Sequence, residues 1–122
     1  MEVLRARGYR VVVSRTKATT VVKLGAGDES GGELTLRGSH DDIVARDECA
    51  NDAKAKALVG IYFDAGSSPT NAGSLTAYDT ARPFATANLR LAFLVQAGAL
   101  AAMNKQGWSI PNAGVVTDTQ LG

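Results

Sequence analysis

The sequence predicts an α/β fold, a mixed and largely parallel sheet flanked by helices, in one domain over residues 1–122. Three observations carry this reading. Helix-forming residues, a glycine and a β-branched run succeed one another between Glu2 and Ser14, an α/β signature. Leu58-Val59-Gly60-Ile61-Tyr62-Phe63 is a nearly continuous apolar run, as in a parallel strand buried on both faces. Residues 86–105 hold an apolar stripe at helical spacing, between two short β-prone segments.

The elements follow in order. Glu2-Val3-Leu4-Arg5-Ala6-Arg7 favours helix and Gly8 ends it; without a visible N-cap, this reads as the tail of a longer helix. Tyr9–Ser14 is the first expected strand. Residues 15–39 show no sustained period and hold five glycines, which predicts a long, partly ordered excursion. Ser39-His40-Asp41-Asp42 has the Ser-x-x-Asp form of a helix start, with Ile43, Ala50, Ala53 and Ala57 on one face of a helix reaching about Lys56. A right-handed crossover through that helix would make Leu58–Phe63 a parallel neighbour of Tyr9–Ser14. After a turn-rich stretch come a strand at Ser74–Tyr78 and a helix at Thr86–Lys105, with Leu89, Ala92, Phe93, Leu100 and Met103 turned inward and Arg90 and Asn104 outward. Val115-Val116-Thr117 begins a last strand, and the pattern is incomplete at both ends.

Composition narrows the function. Thirteen Lys and Arg against twelve Asp and Glu give a net charge of +1, too balanced for a protein that binds nucleic acid by neutralising phosphates. Aromatic residues at 6% supply little for base or sugar stacking. One cysteine, Cys49, excludes an internal disulfide framework, and one histidine, His40, excludes a multi-histidine site from this chain alone. No unbroken apolar run has the ~18–20 residues of a membrane span, and Met1-Glu2-Val3 does not open a signal peptide.

Most single motifs read as structure. Gly25-Ala26-Gly27 lacks the third glycine of a dinucleotide loop, and Asp28-Glu29 would repel a pyrophosphate. The pairs Asp28-Glu29, Asp41-Asp42 and Asp47-Glu48 read as solvated charges, Cys49 as a small packed residue and His40 as a surface residue near a helix start. The end of the run at Leu58–Phe63 is more informative, because ligand crevices in parallel sheets lie beyond the carboxyl ends of the strands. Tyr62 and Asp64 fall there on one side of the strand, either bordering a substrate crevice or packing and capping the next turn.

The order of segments resembles a known family. Gly8-Tyr9-Arg10-Val11-Val12-Val13-Ser14-Arg15, Arg46 with Ala50-Asn51, the run from Ala55 to Ala65, Gly73 with Tyr78, Leu91-Ala92 with Val95-Gln96, and Asn112-Ala113-Gly114-Val115 are together similar to the catalytic domain of zinc-dependent N-acetylmuramoyl-L-alanine amidases. The resemblance covers most of the chain, though none of its motifs is highly specific alone. It implies an exported, cell-envelope hydrolase that cleaves the amide between N-acetylmuramic acid and L-alanine of peptidoglycan. In that family two histidines and a glutamate hold zinc, leaving a position for the attacking water. This chain departs from the pattern: the Gly-His-Gly-Gly strand end is missing, Glu2 lies too near the helix end to match the glutamate, and Tyr62 stands in the third ligand's place. Ala113 replaces the arginine of the Asn-Arg-Gly-Val segment, and the family's late glutamate falls beyond Gly122.

The expectation is therefore an internal piece of an amidase domain, inactive alone, with no catalytic residue and no metal ligand. Tyr62 and Asp64 border the former crevice, while Arg46 and Asn51 are structural. The alternative is a non-catalytic cell-wall-binding or regulatory α/β domain. An unrelated small α/β interaction domain is the third reading.

Overall fold

A computed structural model describes residues 1–62 and 72–119. It has helices with two small sheets, one antiparallel pair and one parallel pair, a mixed α/β character. Two compact units are formed by Met1–Ile61 and Tyr62–Leu121.

In the first unit, α1 (Glu2–Ala6) closes through Gly8, whose φ of +84° favours glycine and whose N–H donates to the Arg5 carbonyl. Two short strands, β1 (Glu29–Ser30) and β2 (Glu33–Leu34), pair antiparallel around Gly31-Gly32. Both glycines have positive φ, as a two-residue hairpin turn matched to strand twist requires. The hairpin leads into α2 (Leu36–Asp52), capped by Thr35, whose Oγ1 accepts from the Gly38 N–H. The helix thus begins before the expected Ser39 start, because Thr35 supplies the cap and Ser39 lies inside the first turn. It ends before Lys56: Lys54 has φ +50°, and its N–H returns to the Asn51 carbonyl.

The face that α2 packs holds Gly38, Asp42, Arg46, Cys49 and Ala53, while Ile43 is 38% exposed. This corrects the apolar face expected through Ile43. The polar residues win it because Asp42 and Arg46 pair with each other and hold the preceding loop.

Neither strand expected from the apolar runs is formed in the described residues: residues 9–14 and 58–62 carry no ladder, and Phe63 lies outside them. A strand is a pairing, and β-branched composition alone does not supply the partner. Arg10 instead donates to the Ala53 carbonyl at the end of α2, and Tyr9, Val12, Leu58, Val59, Ile61 and Tyr62 are all at least half exposed.

The second unit is a β-α-β crossover. Strands β3 (Ser74–Tyr78) and β4 (Asn112–Thr117) pair in parallel, joined by the 21-residue α3 (Ala85–Lys105), which packs on both. The expected strand and helix limits here match to within a residue or two, and β4 starts earlier than Val115. One irregularity separates the pairs Ser74↔Asn112 and Leu75↔Gly114, so Ala113 is the extra residue of a bulge. Gly114 has φ +89°, and its N–H donates to Asn112 Oδ1 at 2.9 Å, so the Asn-x-Gly spacing builds that bulge.

The inner stripe of α3 is Asn88, Ala92, Val95, Gln96, Ala99 and Met103, with Ala92 and Gln96 at 4% exposure. Leu89 and Leu100, expected to be buried, are half-buried, whereas Arg90 and Asn104 are exposed, as expected. Phe93 is a correction, at 59% exposure. One residue past Ala92 is a turn of about 100°, and a two-stranded sheet is too narrow to cover that arc. An 18-residue window of α3 also has the length and hydropathy, 1.2, of a membrane span, a property shared with sheet-packed core helices.

Candidate functional site

The crevice expected beyond Leu58–Phe63 has no strand end beneath it in the described residues. Tyr62 is 63% exposed, and Asp64 lies outside the described residues. Asn51 sits exposed in the last turn of α2, where its carbonyl accepts from Lys54. Arg46 is part-buried and pairs with Asp42 one turn back.

Asp42 is the more telling member of that pair. It is 2% exposed, against the solvated charge expected of Asp41-Asp42, and it also accepts from the Val21 N–H, tying the preceding loop onto α2. Burial alone would raise its pKa. The backbone donor of Val21 and the Arg46 guanidinium outweigh burial and hold the carboxyl below its ordinary value. Asp28, at 6% exposure, likewise departs from the solvated reading: Oδ2 accepts from the Gly25 N–H at 2.6 Å and Oδ1 lies 3.3 Å from Arg37.

The position that parallel sheets use for ligands is the carboxyl end of β3 and β4. Tyr78, Asp79, Thr117 and Asp118 lie there, and the Asp118 N–H donates to the Tyr78 carbonyl at 3.0 Å. Asp79 is 8% exposed and committed: Oδ1 accepts from the Ala81 N–H at 2.7 Å and Oδ2 from Arg82 at 2.9 Å. Its carboxylate builds the turn into α3.

At the other end of the same unit, Gln96 pins the crossover. Its Oε1 accepts from Ser74 Oγ at 3.2 Å and Thr76 Oγ1 at 2.8 Å, and its Nε2 donates to the Ser74 carbonyl and to Asn112 Oδ1, both at 2.7 Å. Both groups of the amide are used, so one helix residue holds the first turns of two strands in register. The sequence signal for this was an amide in the middle of a mostly apolar helical stripe. The signal for Asp42 was an Asp–Arg pair at i, i+4.

A tetrahedral zinc site needs three converging donors, and among the described residues no group of three His, Cys, Asp or Glu gathers. His40 has a side chain 75% exposed beside Asp41. Cys49 lies on the same helix, nine positions on and so roughly 13 Å away along its axis, too far for a Cys–His nucleophile.

Comparison with known proteins finds no matching family model, curated protein or solved structure.

Proposed function

We propose that this chain derives from the catalytic domain of zinc-dependent N-acetylmuramoyl-L-alanine amidases, and that on its own it does not cleave the muramoyl–alanine amide. The observation carrying this reading is the β3-α3-β4 unit. Three of the amidase-like segments, Gly73 with Tyr78, Leu91 to Gln96, and Asn112 to Val115, fall on it in order. Residues of those motifs do structural work there: Gln96 clamps both strands, Asn112 receives that clamp and caps the bulge, and Gly114 supplies its positive φ.

On this reading Tyr9–Ser14 and Leu58–Phe63 have the composition of inner strands of a wider, largely parallel sheet. Tyr62 and Asp64 mark the rim of its former metal crevice, and Arg46 and Asn51 are structural. Peptidoglycan is the ancestral partner and the cell envelope the site of action.

Turnover on purified muropeptides with added zinc tests the proposal. We expect no release of L-alanyl peptide from the wild-type chain and none from Tyr62→His, since one added imidazole leaves two ligands missing. Zinc-dependent release by either protein would overturn the inactive assignment.

A further inference from the structure

We infer that residues 1–12, with Lys54 and Lys56 beside them, form a docking surface for an anionic lipid membrane. The net charge of +1 hides an uneven distribution. The first 27 residues hold six Lys and Arg and one carboxylate, Glu2, whereas residues 28–52 hold two arginines and eight carboxylates. The start of the basic part folds back on itself: the Tyr9 N–H donates to the Leu4 carbonyl at 3.1 Å and Arg5 to the Val11 carbonyl at 3.4 Å, so the chain after Gly8 lies against α1. Arg10 donates to the Ala53 carbonyl just past α2, which brings Lys54 and Lys56, within three residues of Ala53, to the same place.

Arg5, Arg7, Arg10, Lys54 and Lys56 are all exposed, with Glu2 and Asp52 the carboxylates nearest in sequence. Arg37 and Arg46 take carboxylates of this unit as partners, and among the described residues none of the five cations does. Arg5 and Arg10 each give one nitrogen to a backbone carbonyl and keep the rest of a five-donor fork for phosphate oxygens. The apolar side chains among these cations select the polyanion. Met1, Val3, Leu4, Tyr9 and Val12 are 49–67% exposed. A nucleic acid presents phosphates and base faces, on which four non-aromatic apolar side chains and a single tyrosine find little to hold. The boundary between lipid headgroups and acyl chains takes both kinds, cations at the phosphates and apolar side chains with tyrosine just beneath them.

The exposed outer face of α3, with Phe93 and Leu94, is the competing membrane-facing surface. Flotation of the full chain with vesicles of phosphatidylcholine, alone or mixed in equal parts with phosphatidylglycerol, separates the two. We expect the mixed vesicles to bind at least about tenfold more protein than the neutral ones at low salt, and the excess to shrink as salt rises. Each cation near the surface is worth about fivefold in partitioning, so Arg7→Gln with Lys56→Gln should weaken binding roughly 25-fold. Leu4→Gln should weaken it by roughly threefold or more, and Arg90→Gln and Leu94→Gln should leave it unchanged. Binding to neutral vesicles as strong as to mixed ones, binding to neither, or binding untouched by Arg7→Gln with Lys56→Gln or by Leu4→Gln would overturn the assignment. So would loss of binding in Leu94→Gln, or a single-stranded oligonucleotide held more tightly than the mixed vesicles at equal phosphate concentration. Vesicle binding is independent of muropeptide turnover, so this inference and the amidase reading fail separately.

Discussion

Replacing Gln96 by methionine removes the amide and keeps nearly the same length and flexibility, so the loss reports the hydrogen bonds and little else. The side chain makes four of them at 2.7 to 3.2 Å and is 4% exposed. A net contribution of about 1 kcal/mol per bond sets an upper scale near 4 kcal/mol. Ser74 and Thr76 are only half-buried, so their hydroxyls turn toward water and recover part of it. The two bonds donated by Nε2 hold β3 and β4 together and are the ones fully lost. We expect a destabilisation of about 2–3 kcal/mol. Gln96→Glu should be at least as harmful, because a carboxylate has no N–H to give and faces the Ser74 carbonyl and Asn112 Oδ1. Urea unfolding gives the free energy, and amide hydrogen exchange should show protection falling at Ser74–Tyr78 and Asn112–Thr117 together. A Gln96→Met protein within about 0.5 kcal/mol of wild type, with both strands still protected, would refute the clamp.

Two further substitutions test the first unit. Gly38 lies against the Asp28 backbone, so the Cβ of Gly38→Ala would fall on the Asp28 carbonyl oxygen, which accepts from the Thr35 N–H. The helix-propensity gain of about 1 kcal/mol is smaller than the clash, and a net loss of about 1–2 kcal/mol should lower the melting temperature; an unchanged or raised one would contradict the packing. For Asp42, a folded-state pKa below the ordinary value means its contribution is complete above about pH 4 and is lost as pH falls through the folded value. Urea midpoints of wild type should therefore drop more steeply below about pH 4 than those of Asp42→Asn, and parallel acid limbs would contradict the pairing with Arg46 and Val21.

Sequence periodicity served best where one segment holds its own partners. Ser74–Tyr78, the 86–105 helix and the strand containing Val115 were legible because a β-α-β unit closes on itself over a short stretch of chain. Gly8 as a helix stop was legible because its conformation is a local matter. Tyr9–Ser14 and Leu58–Phe63 misled because apolar, β-branched composition reports what a segment would bury and not whether a partner is at hand. Phe93 was misplaced because the stripe was centred on its largest side chains, whereas the narrow sheet covers only the arc around Ala92 and Gln96. Buried Asp42 and Asp28 were hidden for a related reason. Neighbouring acidic residues look solvated in a sequence, and only folding shows that backbone N–H groups and arginines converge on one of them. As for the site, the sequence marked Tyr62 and Asp64, while the described strand ends are those that carry Asp79 and Asp118.

The second unit rests on Ser74–Tyr78, Ala85–Lys105 and Asn112–Thr117 forming one parallel β-α-β crossover. Cross-strand nuclear Overhauser contacts on isotopically labelled protein test it most directly. The account predicts contacts that advance in the same direction on both strands, Leu75 with Gly114, Thr76 with Val115, Ala77 with Val116 and Tyr78 with Thr117, and a Gln96 side-chain amide near both Ser74 and Asn112. Contacts that advance on one strand while receding on the other, or no contacts between these segments, would contradict it.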